Sequence, residues 1–204
     1  MSTKALVFGI VALAQLAVPA WMIIGHEQVL REGEVFKFHT APVDPRDPFR
    51  GEYVVLSYAE EQREIPGTEG PHTEGETVYA VLHTVNDSAT VIDEVMRTAP
   101  MDGRPYVRCT VAWQPDPEAT TVRVDLPFDR FYLEEGDGWR TEELLRPGWE
   151  NGERVDTLPA YALVRVKEGN AVIEDLVVGG RSIHEWLKEE PRSTTEPALV
   201  PSGS

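Results

Sequence analysis

Apolar and polar positions alternate with a period near two along most of this chain, and one long stretch breaks that rule. Ala5 to Ile24 carries no charge and is interrupted only by Gly9, Gln15 and Pro19. Twenty helical residues rising about 1.5 Å each cover roughly 30 Å, the hydrocarbon thickness of a bilayer. A cleaved signal peptide would have a shorter apolar core and a small-x-small cleavage site. Val18-Pro19-Ala20 makes a poor site, because Trp21-Met22-Ile23-Ile24 prolongs the apolar run beyond it. The pattern predicts an uncleaved transmembrane helix within residues 1–25, with a cleaved signal and a buried core helix as the competing readings.

After an exit segment at Gln28 to Gly33, period two takes over. Glu34 to Thr40 reads as a strand. Tyr53 to Tyr58 follows, with Val54, Leu56 and Tyr58 on one face and Tyr53 and Val55 on the other. Both parities are apolar, the pattern of a strand covered on both faces. Glu60 to Thr77 is rich in acids, glycine and proline and predicts a long solvated loop. Val78–Val85, Ala89–Met96, Tyr106–Trp113 and Thr120–Phe128 then recur as short strands, separated by Asn86-Asp87-Ser88, Asp102-Gly103 and Gln114-Pro115-Asp116-Pro117. Turn residues between closely spaced runs predict antiparallel pairing rather than βαβ units.

Thr141 to Arg146 reads as a short helix, with Thr141 as N-cap and Pro147 as its stop. Thr157–Lys167 and Ala171–Val178, joined by Glu168-Gly169-Asn170, form a closing hairpin. Ser182 is placed to cap a last helical turn through Trp186 and Leu187. The expected fold is mainly β: an antiparallel sandwich or barrel-like domain over residues 26–190, with one or two short helices. A disordered tail is expected at 191–204, where Ser, Thr, Pro and Glu dominate.

Between the first two strands lies Pro42-Val43-Asp44-Pro45-Arg46-Asp47-Pro48-Phe49-Arg50, in which three prolines exclude both helix and ladder pairing. It runs into Gly51-Glu52-Tyr53-Val54-Val55-Leu56-Ser57-Tyr58. That octapeptide, with its Pro-Val-Asp-Pro-Arg-Asp lead-in, resembles the signature of the GDYXXLXY family of membrane-anchored proteins. The family's Asp is Glu52 here, one methylene longer. Phe131-Tyr132-Leu133-Glu134-Glu135-Gly136 and Ala171-Val172-Ile173-Glu174-Asp175-Leu176 are similar to later parts of the family, so the likeness covers roughly residues 5–183. The resemblance implies an anchored domain outside the membrane; it implies no reaction.

The net charge of −16 excludes nucleic-acid binding as a working hypothesis, since phosphate contacts need clustered Lys and Arg. It also disfavours an anionic surface lying flat on acidic lipid, leaving the helix as the membrane contact. Lys4 and the amino terminus precede the apolar run, whereas the charges of Glu27, Arg31 and Glu32 after it largely cancel. The bias puts the N-terminus in the cytoplasm and the body outside. Cys109 is the single cysteine and makes no internal disulfide; its apolar strand predicts a buried, inert thiol. The five histidines share no short repeated spacing, and His72-Thr73-Glu74-Gly75-Glu76 is at most a weak cation holder, so no metal and no cofactor are expected.

Asp44, Arg46, Asp47, Arg50 and Glu52 form a charged corner. Either they pair internally to fix the corner, or they form a docking or ligand surface together with Tyr53, Arg130 and Tyr132. Gln15, near the middle of the apolar run, is a candidate contact with another transmembrane helix, worth roughly 0.6–2 kcal/mol. A catalytic alternative rests on Arg50-Gly51-Glu52-Tyr53-Val54-Val55-Leu56, which is loosely similar to a strand of type I signal peptidases. Such enzymes need a Ser-Met pair and a buried lysine base. No Ser-Met pair occurs, and Ser57, Lys37 and Lys167 sit in alternating strands. The sequence therefore points to a non-catalytic, membrane-anchored accessory protein with a polytopic membrane partner; a signal-peptidase-like hydrolase or a small-ligand module is the alternative.

Overall fold

A computed structural model describes residues 3–41, 53–86, 89–114, 118, 120–145, 148–150, 153–155 and 158–189. Asp44, Arg46, Asp47, Arg50 and Glu52 of the charged corner lie outside the described residues. So do Asp87, Ser88, residues 115–117, Arg146, Pro147 and the expected disordered tail.

Helix α1 spans Thr3–Glu32 and carries Pro19 inside it. It does not stop where the apolar run ends. The expected exit segment is its last two turns, held by an Arg31–Glu27 pair at 2.7 Å and docked on the body through buried Val29. Gly33 ends it, donating its N–H to Val29 O at 2.8 Å. A Cβ at Gly33 would stand 2.4 Å from that same oxygen, so this close turn requires glycine. Ahead of the docked turns, Phe8, Leu13, Leu16 and Trp21 are all exposed, as on a helix whose apolar surface awaits another solvent. Val7–Glu32 is long and apolar enough to cross a membrane.

Strand β1 (Glu34–Ala41) turns Phe36 and Phe38 inward and leaves Val35 outside. The signature stretch is not one central strand. It is β2 (Tyr53–Val55) and β3 (Ser57–Tyr58), which pair with different partners. Only the Val54, Leu56, Tyr58 face is buried; Tyr53 and Val55 are half-buried. The aromatic at Tyr53 made both parities read as core, but its ring is covered by side chains of one neighbouring strand rather than by a second sheet.

Nor is Glu60 to Thr77 a plain solvated loop. It holds part of a 3₁₀ turn (Ala59–Gln62) and β4 (Ile65–Pro66), and it buries Glu60, Ile65 and His72. Its acids act as backbone acceptors. Glu60 receives the Ile92 N–H at 3.0 Å and Arg63 at 2.7 Å, while Glu61 receives the N–H groups of Tyr58 and Leu126 at 2.9 and 3.0 Å. Carboxylates thus satisfy strand N–H groups that no neighbouring strand reaches.

Strands β5 (Thr77–Val85), β6 (Ala89–Met96) and β7 (Tyr106–Trp113) follow the alternation, and β8 is Thr121–Asp125. A bulge between Val81 and Leu82 lets both side chains point inward in succession. Strand β9 (Arg130–Tyr132) precedes α2 (Gly138–Leu145). That helix starts earlier than expected, and Thr141 is inside it rather than capping it, its buried hydroxyl donating to Asp137 O at 3.0 Å. A hairpin of β10 (Gly148–Glu150) and β11 (Glu153–Val155) comes next. The closing hairpin is β12 (Ala160–Lys167) and β13 (Asn170–Val178), turned by Glu168 and Gly169, both at positive φ. After β14 (Arg181–Ser182), Ser182 caps α3 (Ile183–Lys188) by accepting from His184 N at 3.2 Å.

Two five-stranded antiparallel sheets result, ordered β14-β13-β12-β1-β3 and β4-β8-β7-β5-β6. The second nearly closes on itself, because Thr68, just past β4, donates to Val95 O of β6 at 3.1 Å. Lys37 N donates to Thr90 Oγ1 at 3.0 Å and Arg108 N to Gly169 O at 3.0 Å, joining the sheets. One core runs through both, from Phe36 and Phe38 to Val107 and Val124. The molecule is mainly β and barrel-like, with few helices and one long apolar one.

Candidate functional site

Strands β2 and β9 pair antiparallel as a separate two-stranded ribbon, in the register Tyr53–Tyr132, Val54–Phe131, Val55–Arg130. The organising signature and the second family-like stretch are therefore neighbours. Alternation sorts the ribbon's faces: Val54 and Phe131 go into the core, while Tyr53, Arg130 and Tyr132 face outward. The Tyr53 and Tyr132 rings are 5.8 Å apart at 53°, and the Arg130 guanidinium stands 5.4 Å from the Tyr53 ring centre. Arg130 also lies 3.8 Å from the Asp129 carboxylate, both side chains half-exposed, so this pair is worth only about 0–1 kcal/mol. The outward face is a pair of phenol rings with a cation over one of them, Tyr53, and with Tyr132 at 68% exposure.

The ribbon is fixed from beneath. Phe38, Tyr58 and Phe128 form a buried aromatic trio with centroids 5.1–5.8 Å apart. The Tyr58 hydroxyl donates to Phe128 O at 2.8 Å, and Leu56 N donates to Asp129 O at 2.7 Å. These bonds pin two successive carbonyls of the β8–β9 connection, just ahead of β9, to the signature stretch. Burial, with Glu61 and Asp129 nearby, pushes the Tyr58 phenol far above its usual range. Burial also raises the Glu61 carboxyl, against the lowering effect of the two N–H groups it accepts.

Of the expected site residues, Tyr53, Arg130 and Tyr132 come together; the corner that leads into them lies outside the described residues. Gln15 is exposed on α1. Burial pushes the Cys109 thiol up to about 12, which makes it a poor nucleophile at neutral pH. Among the described residues no group of three or more His, Cys, Asp and Glu is arranged to hold a metal ion. His72 is buried, its ring 3.5 Å from Glu76, whose other carboxylate oxygen takes Arg97 at 2.6 Å. Lys167, considered as a base, is ion-paired with Glu32 at the end of α1.

Sequence reading missed one feature altogether. A cavity of about 390 Å³ lies between the last turns of α1 and the β12–β13 turn, lined among others by Trp21, Met22, His26, Val29, Arg108 and Asn170. Nothing in the local pattern announces it, because its walls come from four segments distant in sequence.

No curated protein and no solved structure matches the chain. The family model described as GDYXXLXY protein matches residues 15–176, a span that takes in the docked turns of α1, the paired ribbon and most of the closing hairpin. With Tyr53 to Tyr58 of the signature supplying β2 and β3 within that span, the chain belongs to the GDYXXLXY family.

Proposed function

We propose that the protein is a non-catalytic accessory subunit, held in the cell membrane by α1 with its N-terminus cytoplasmic, that presents the Tyr53–Arg130–Tyr132 face to a polytopic membrane protein. The observation that carries this reading is the ribbon itself. Tyrosine and arginine dominate binding hot spots because each offers a large, rigid contact area together with a polar end. Here two tyrosines and an arginine share one outward face, and the core beneath fixes them, so little ordering entropy is lost on docking. The charged corner immediately precedes Tyr53 in the sequence, and we assign it to the same docking surface. Gln15 supplies a second contact, between helices in the bilayer.

The test is recovery of the membrane partner from detergent extract with the full-length chain as bait. Tyr132→Ala and Arg130→Ala, paired with Arg46→Ala and Arg50→Ala, are expected to cut partner recovery severalfold while leaving the melting temperature nearly unchanged. Undiminished recovery by the ribbon mutants overturns the docking role. Melting temperatures that collapse in both corner mutants return the corner to a purely structural role.

A further inference from the structure

The cavity beside α1 has a mixed lining. Its apolar members include Trp21 and Met22, which belong to the end of the uncharged run and are largely exposed, together with Val29, Pro127, Ala171 and Val172. Its polar members are Arg108 from β7, His26 from α1 and Asn170 from the closing hairpin. Ile24 ends the apolar run between Met22 and His26, so a bilayer crossed by α1 would have its headgroups near this stretch. Aromatic residues such as Trp21 favour that level.

Arg108 is the unusual member. In a chain of net charge −16, most described arginines sit against a carboxylate: Arg63 on Glu60, Arg97 on Glu76, Arg104 on Glu94 and Arg165 on Glu174. Arg123, with no acid partner among the described residues, lies over the Trp113 ring. The exposed Arg108 side chain has neither an acid nor a ring among the described residues. His26 Nδ1 donates to Met22 O at 2.9 Å, which sets the orientation of the ring at the cavity. A guanidinium suits a phosphate, which Arg binds through paired N–H groups.

We infer that this cavity binds the phosphate of a membrane phospholipid, with Arg108 as its anchor, His26 and Asn170 as polar neighbours, and the glycerol and upper acyl chains against Trp21 and Met22. About 390 Å³ is within the range of small-molecule sites. The inference rests on the reading that α1 enters a membrane, and the lipid would then wedge between the helix and the β body.

The experiment uses the full-length chain. Membranes are first washed with alkaline carbonate, and the retained protein is purified in detergent. Native mass spectrometry then follows titration with dioleoylphosphatidylglycerol, with dioleoylglycerol as the phosphate-free arm and inorganic phosphate as the lipid-free arm. One phosphatidylglycerol should bind the wild type, with dioleoylglycerol and phosphate binding far more weakly. Arg108→Gln should lose about tenfold or more in affinity, the worth of one charge-assisted contact. Asn170→Asp should weaken binding too, whereas Arg31→Gln, off the lining face, should leave it unchanged. Equal lipid binding by Arg108→Gln, or equal binding of dioleoylglycerol, overturns the inference. Binding of phosphate as tight as the lipid overturns the lipid as its source. Release of the chain by carbonate overturns the anchor reading, and this inference with it.

Discussion

At the scale of single residues, the buried parity of the signature stretch matters most for stability. Leu56 is 3% exposed beside the aromatic trio, so Leu56→Ala should cost about 2–5 kcal/mol and lower the melting temperature by roughly 5–15 °C. A loss no larger than that of an exposed position would show that the site collapses around the deletion. Glu61 gives a pH prediction. Its folded-state pKa is raised above the ordinary 4.5, so its contribution is fully present below pH 4.5 and is lost as pH rises through the raised value. The difference in melting temperature between the wild type and Glu61→Gln should therefore shrink from pH 4 towards neutrality. A difference that grows over that range contradicts burial as the dominant cause. Residue roles of this kind were only half legible in the sequence. Alternation identified Leu56 as core. Nothing local shows that Glu61 accepts from Leu126, 65 positions away.

At the scale of elements, most of the strands were legible because each is a short apolar alternation between turn residues. The exceptions have physical reasons. The end of α1 has the polar composition of an exit segment, although Glu27 and Arg31 sit at the favourable i,i+4 spacing and Gly33 is a ready terminator. The signature stretch was read as one two-faced strand because its parity cannot reveal that β2 and β3 take different partners. The hairpin of β10 and β11 was missed, though Asn151-Gly152 between them is a strong turn signal. The docking of α1 can be tested at Gly33. A Cβ there would meet Val29 O at 2.4 Å and Val166 N at 3.1 Å, both backbone atoms that cannot swing aside. Gly33→Ala should cost about 1–3 kcal/mol and expose the segment after Glu32 to protease. Wild-type protection in that mutant would mean that the last turn of α1 is not seated on β12. Within the bilayer, Gln15→Leu should weaken recovery of a membrane partner without changing insertion; unaltered recovery leaves Gln15 a tolerated polar residue.

At the scale of the whole molecule, the sequence conveyed class and order but not closure. The second sheet curls nearly shut through Thr68 and Val95, and the cavity beside α1 forms only where helix, β7 and the closing hairpin converge. Such features depend on which distant segments meet, and no run of residues encodes them by itself. Orientation is the prediction that belongs here. Protease added outside intact cells should digest the β body, and digestion only after lysis would reverse the proposed topology.

The uninterrupted path of α1 from its apolar span into the seated turn at Val29 has a mechanical consequence. A domain on a flexible stalk samples every orientation; this one is joined to its stalk by a continuous helix whose one proline, Pro19, marks where it can bend. An α-helix advances about 100° per residue, so the rotational setting of Gln15 about the helix axis also sets the compass bearing of Tyr53, Arg130 and Tyr132. On the anchored reading proposed above, any lean of the last turns of α1 tips the β body seated on them. The ribbon would then be aimed by the helix, as a rudder is set by its post.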